Sequence, residues 1–91
     1  MNFEWDAKKA TRNIKDHGVT FKEAATVFGD PLAFTFGDPD HSFDEQRFVT
    51  IGVSERGKLL IVAHADHDDT IRLISARETT HGERKLYEEE D

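Results

Sequence analysis

Hydrophobic and polar positions along the chain switch between two periods, and each switch marks an element. Residues 2–5 alternate polar and aromatic side chains, as a short strand does. Asp6 is a good N-cap for a helix over residues 7–16, in which Ala7, Ala10 and Ile14 recur on one face. Gly18 suits the left-handed position that ends it, with His17 in its last turn. A second helix starts at once. Thr20 and Glu23 form a capping box, Val19 and Ala24 a hydrophobic staple, and Phe21, Ala24, Ala25 and Phe28 a stripe that Gly29 and Pro31 terminate.

The period then falls to two. Residues 32–36 place Leu32, Phe34 and Phe36 on one strand face, and 37–45, containing DPDHS, form a polar loop. Residues 47–53 alternate as a strand, 55–58 make a tight turn, and 59–65 are a nearly continuous apolar run, expected of a central strand. Residues 66–69 form a turn before a last strand over 70–76. Thr80 and Glu83 then spell another capping box, so a helix is expected from His81 onward. The residue pattern predicts an α+β domain over 1–91: two helices, an antiparallel meander of about four strands, then a C-terminal helix.

A four-residue turn at 66–69 would put Ala65 opposite Thr70. Lys58 then faces Arg77, Leu60 faces Ser75, Val62 faces Leu73 and His64 faces Ile71. The face carrying Leu59, Ile61, Ala63, Ile74 and Ala76, with Arg72 near its end, is the one expected beneath the helices. The other presents Lys58, His64, Ser75 and Arg77. A slip of one residue would reverse the side-chain faces of a strand.

Charge sharpens this picture. The formal net charge is −7, which argues against general nucleic-acid affinity. Its distribution is uneven: residues 1–36 sum to zero and 37–69 to −5, whereas 70–87 sum to +2, with Arg72, Arg77, Arg84 and Lys85 around one strand-to-helix junction. There is no cysteine, which excludes disulfides and thiolate metal sites and suits a reducing compartment. No apolar run has membrane-spanning length and no signal peptide opens the chain, so a cytoplasmic, non-membrane protein is expected.

With FEWDAKKATRNIKDHGVTFKEAATVF at its start, RFVTIGVSERGKLLIVAH in its middle and IRLISARETTHGERKLYEE at its end, the sequence resembles the BrnT family of toxins from bacterial type II toxin–antitoxin systems. The resemblance runs over nearly the whole chain. It implies a RelE-like ribonuclease fold, RNA cleavage that inhibits translation, and a BrnA-like ribbon-helix-helix antitoxin that neutralises the toxin. Operator DNA would be met only through that antitoxin.

RNA cleavage without a metal needs a base for the 2′-hydroxyl, cations for the phosphorane and an acid for the leaving 5′-oxygen. Arg77 is the first candidate for the phosphate, because a guanidinium grips two oxygens at once. Lys58 would add a second charge, His64 would serve as acid or base, and Tyr87 would stack on a base or orient the phosphate. These four are the catalytic candidates; Arg72 and Arg84 are RNA-binding candidates. Each has a structural alternative: ion pairs for the arginines, a hydrogen-bonded strand-end histidine for His64, helix docking for Tyr87. No cofactor or metal is expected. HADHDD at 64–69 is a cluster of ligand-type residues whose spacing matches no closed site; a metal-dependent hydrolase built on it is the third-ranked reading. The second is a non-catalytic interaction module that binds the antitoxin as a co-repressor.

Overall fold

The computed structural model describes residues 1–41 and 45–90. The elements are β1 (Asn2–Glu4), α1 (Ala7–His17), α2 (Phe21–Thr26), β2 (Phe34–Gly37), β3 (Arg47–Val53), β4 (Leu59–His67), β5 (Thr70–Glu78) and α3 (His81–Glu90), with short 3-10 turns at Val27–Gly29 and Pro39–His41. The expected polar loop at 37–45 lies partly outside the described residues, as does the end of the acidic tail.

The local signals act as their chemistry requires. Asp6 accepts from the Lys8 N–H at 2.7 Å, and Gly18 ends α1 at φ 70° with its N–H on the Ile14 carbonyl. Thr20 accepts from the Glu23 N–H at 3.0 Å. The Glu23 carboxylate does not close the box by itself; it takes the Ser54 hydroxyl at 2.8 Å, tying α2 to the β3–β4 turn. Thr80 and Glu83 complete both halves of theirs.

The sheet has five strands in the order β1-β5-β4-β3-β2. The meander expected from the sequence is its antiparallel part. The added strand is β1, which lies parallel to the start of β5, with Phe3 beside Ile71. Its three residues carry too little periodicity to reveal a partner 68 positions away.

The expected register of the last hairpin is corrected. Asp68 takes φ 52°, a left-handed conformation that Asp tolerates, so the turn needs only Asp68 and Asp69, and His67 pairs with Thr70. Farther along, Ala63 pairs with Ser75 but His64 pairs with Leu73, leaving Ile74 as an extra residue in β5. Arg77 therefore faces Ile61, not Lys58; Leu60 faces Glu78 and Val62 faces Ala76.

The expected faces are reversed in β4 and in β5 before the bulge, whereas Ala76 stays beneath the helices and Ser75 and Arg77 stay on the other face as expected. The core beneath α1 and α2 is built from Leu60, Val62, Ile71, Leu73 and Ala76 with Val19, Phe21, Ala24 and Val27. Leu59 and Ile61 point to the opposite side, where Ile51, Phe34 and Val53 join Tyr87 of α3. Gly52 permits the close approach on the helix side: a Cβ there would sit 2.8 Å from both Val27 and Ala33 side-chain carbons.

In α1 the buried position is Asn13, not the expected Ile14, which is 49 % exposed. Asn13 is 5 % exposed. Its amide nitrogen donates to the Val19 and Ala76 carbonyls at 2.9 and 2.8 Å, and its oxygen accepts from the Ala76 N–H at 3.0 Å. The side chain thus acts as a fragment of backbone along the edge of β5 that β1 does not reach. Replacing Asn13 with Leu keeps the volume but leaves three buried backbone groups without that partner. The variant should lose about 2–4 kcal/mol of stability, measured by urea denaturation at an unchanged m-value.

Candidate active site

The sheet face opposite α1 and α2 is only partly covered. At one end Tyr87 docks α3 over Ile51 and Leu59. The rest collects arginines, and the register explains why. Arg47 and Arg72 both flank Ala65 on neighbouring strands, and Arg77 flanks Ile61. Were Ile74 paired in a regular strand, Arg72 would point away from Ser75 and Arg77; because it is bulged out of the ladder, all three share this face while Leu73 and Ala76 stay in the core. A cleft of about 300 Å³ opens here, lined by Asp38, Arg47, Ala63, Ile74 and Ser75.

Carboxylates organise these guanidiniums. Glu45 lies between Arg47 and Arg72: its Oε1 accepts from the Arg72 guanidinium and sits 3.8 Å from Arg47 Nε. Arg77 is gripped at two points by Glu83, at 2.8 and 2.9 Å, and also donates to the Glu78 carbonyl. The bidentate hydrogen bond from Arg77, joined by that from the Thr80 N–H and opposed by burial, lowers the Glu83 carboxyl to a pKa of about 2. Glu83 reciprocally raises Arg77 above its ordinary value. Glu83 thus serves both helix cap and arginine clamp.

The sequence candidates are distributed as follows. Arg77 and Arg72 come together on the arginine face, joined by Arg47, which sequence reasoning had placed only within a strand. Arg84 is exposed on the first turn of α3, next to Glu83. Lys58 is exposed in the β3–β4 turn, where its carbonyl accepts from the Ser54 N–H; it is not paired with β5.

His64 lies on the helix side of the sheet, 1 % exposed, with Phe28 edge-on at 5.0 Å and Phe48 stacked at 5.9 Å. Its Nδ1 is 2.7 Å from Asp66 Oδ1 and its Nε2 is 2.8 Å from the Thr50 hydroxyl, which meets Thr35 at 2.6 Å. Both ring nitrogens are thereby held, Nδ1 by Asp66 and Nε2 by Thr50.

Tyr87 is 9 % exposed and its hydroxyl donates to Asp30 Oδ2 at 2.7 Å. Burial opposes ionisation of Asp30. The hydrogen bonds from Val53 N–H, the Tyr87 hydroxyl and Leu32 N–H outweigh it and hold the carboxyl below its usual range. Tyr87 thus fastens α3 to the connection between α2 and β2. Among the described residues no group of three or more His, Cys, Asp or Glu side chains is placed to hold a metal ion.

Comparison with known proteins agrees with this architecture. The sequence model of a family described as the ribonuclease toxin BrnT of type II toxin–antitoxin systems matches residues 5–83. The fold is similar to a crystal structure of the Brucella abortus ribonuclease toxin BrnT, with a TM-score of 0.67 at 21 % identity, covering 89 % of this chain and 99 % of that one. Among curated protein sequences no relative matches. No helix among the described residues is long and apolar enough to cross a membrane.

The Glu83 clamp has a pH signature. A carboxyl lowered in the folded state adds stability that is complete above its unfolded value, near 4.5, and disappears as pH falls through about 2. Glu83→Gln should cost about 1 kcal/mol at pH 7, discounted for the half-exposed pair. The gap from wild type should close between pH 4.5 and 2 in thermal melts. A gap independent of pH would assign the loss to the cap alone.

Proposed function

Because the chain belongs to the BrnT family of ribonuclease toxins from type II toxin–antitoxin systems, we propose that it cleaves RNA on the arginine face by metal-free acid–base chemistry and so inhibits translation in the cytoplasm. The observation that carries this reading is that Arg47, Arg72 and Arg77 share one face of the sheet, where Arg47 lines the cleft formed with Asp38, Ala63, Ile74 and Ser75. Three guanidiniums in an acidic protein make a local site for a phosphodiester without general affinity for polyanions.

In the proposed reaction the ribose 2′-oxygen attacks the adjacent phosphorus. The bond to the 5′-oxygen breaks and that oxygen takes a proton from solvent water, giving a 2′,3′-cyclic phosphate and a 5′-hydroxyl. Arg72 and Arg77 bind the non-bridging oxygens and stabilise the extra charge of the phosphorane. Glu45, positioned by Arg47 and Arg72, takes the 2′-hydroxyl proton. Arg84, exposed beyond the clamp, contacts the RNA backbone. Lys58 at its turn contributes long-range charge. His64 and Tyr87 act through the fold: His64 aligns β3 and β4 beneath Phe28, and Tyr87 sets the position of α3 and hence of Glu83 and Arg77.

The partner is an antitoxin, as membership of a type II system implies. We assign it the ribbon-helix-helix class of BrnA, with contact to operator DNA through that protein. A second reading, a non-catalytic co-repressor module, is favoured by one observation: Glu83 closes both terminal nitrogens of Arg77.

Cleavage of a defined RNA by the purified chain in EDTA decides between them. Wild type should yield cyclic-phosphate ends. Arg72→Ala and Arg77→Ala should each lower the rate about 10²–10³-fold while melting within a few degrees of wild type. Tyr87→Phe should lose about 1 kcal/mol of stability with less than a tenfold change in rate. A folded wild type that leaves both free RNA and ribosome-bound RNA intact would favour the co-repressor.

A further inference from the structure

The arginine cleft does not end at β5. Its lining residues Ile74 and Ser75 also line a second cavity of about 230 Å³, on the far side of that strand, together with Lys9, Arg12, Asn13, Asp16 and His17 of α1. The two cavities adjoin at the bulge, with Ile74 and Ser75 as shared lining. They can meet there because β1 pairs only with Thr70–Arg72 of β5, so no strand among the described residues covers this edge beyond it.

The wall supplied by α1 is cationic. Ala7–His17 holds Lys8, Lys9, Arg12 and Lys15 against one carboxylate, Asp16, a net charge of +3 in a chain of −7. Lys9, Arg12, Asn13, Asp16 and His17 recur at helical spacing along the side that faces the edge of β5. Arg12 is 3.7 Å from Asp16, in an exposed pair that a phosphate can displace at little cost. Asn13 fixes the distance of this wall from the strand through its hydrogen bonds to Ala76.

Resting on the reading of the arginine face as an RNA-cleaving site, we infer that the RNA strand leaves the cleft across the bulge at Ile74 and Ser75 and lays its backbone along the Lys9–Arg12 face of α1. This face is a binding subsite, separate from the reacting phosphate. Its continuity with the cleft favours a nucleic-acid strand over an acidic protein segment, which would need no passage to the arginines. The bulge provides the crossing point, because its extra residue bends β5 where the two cavities join.

The test is binding, kept apart from cleavage. Fluorescence anisotropy is measured with 2′-O-methyl RNA, which lacks the attacking hydroxyl, in oligonucleotides of about 4 and about 12 nucleotides. Lys9→Ala/Arg12→Ala should weaken the longer RNA about tenfold, reduce its salt slope by about 1.4 and leave the shorter one unchanged. Lys8→Ala/Lys15→Ala removes the same charge from the same helix outside the groove. It should change the longer RNA's affinity less than threefold, and both variants should melt like wild type.

Equal weakening by the two double variants overturns the path in favour of a general charge effect. So does unchanged binding of the longer RNA by Lys9→Ala/Arg12→Ala. A Lys9→Ala/Arg12→Ala variant that retains RNA but loses a poly-glutamate peptide makes the groove a protein-docking surface and overturns the path likewise. A wild type that binds neither RNA overturns the arginine-face reading together with the path.

Discussion

Ile74 is the residue for which β4 provides no partner, and the sidedness of everything around it follows from that extra position. In an unbroken strand, Leu73 and Ala76 would lie on opposite faces. Here both enter the core beneath the helices, while Arg72, Ser75 and Arg77 share the other side. One inserted residue therefore reconciles two demands on a nine-residue strand: a continuous apolar underside and a concentrated polar upper side. The open edge beside the break is capped by Asn13, whose amide satisfies both backbone groups of Ala76.

The charges follow a second logic. The protein is acidic overall, yet carboxylates are drawn into close pairing with the arginines they would otherwise oppose. Glu45 serves Arg47 and Arg72, and Glu83 serves Arg77. These pairs hold long, flexible guanidiniums in register before any ligand arrives, lowering the entropy to be lost on binding. They also set a threshold for ligands. Only an anion that engages more than one arginine compensates for displacing the carboxylates that already hold those arginines. A multidentate phosphodiester meets that condition better than a simple anion.

Much of this was legible in the sequence because it is written in local chemistry. Asp6, Thr20 and Thr80 announce helix starts through caps that form within three residues, and the apolar run after Lys58 marks the central strand. The resemblance to BrnT proteins rested on motifs at both ends and agrees with the matched family and fold. What was not legible depends on non-local geometry. The pairing of β1 with β5 joins residues far apart in sequence. The bulge and the two-residue turn at Asp68 are single-residue events that shift the phase of an alternating pattern without altering its composition. Tyr87 and His64 offer both a chemical and a structural role in the sequence; the distant partners that hold them, Asp30 and Thr50, come from elsewhere in the fold. The basic face of α1 vanished in a charge sum over residues 1–36, where five cations and five anions cancel. Summing over the helix alone would have exposed it.

The position of β5 in the sheet has a consequence for how the protein is made. This strand lies between the N-terminal strand and the central strand, receives the Asn13 anchor from α1, and supplies Ile71, Leu73 and Ala76 to the main core. The first helices therefore emerge from a ribosome with no surface on which to bury their apolar stripe. Synthesis at roughly 5–20 residues per second leaves them waiting several seconds for β5 to follow. The arginine face cannot assemble before then, since two of its three guanidiniums are on that strand. Under the activity proposed above, a ribosome is not exposed to the product it is still synthesising. The order of strands delays the hazard until translation of the core is complete, and gives an antitoxin already present time to meet it.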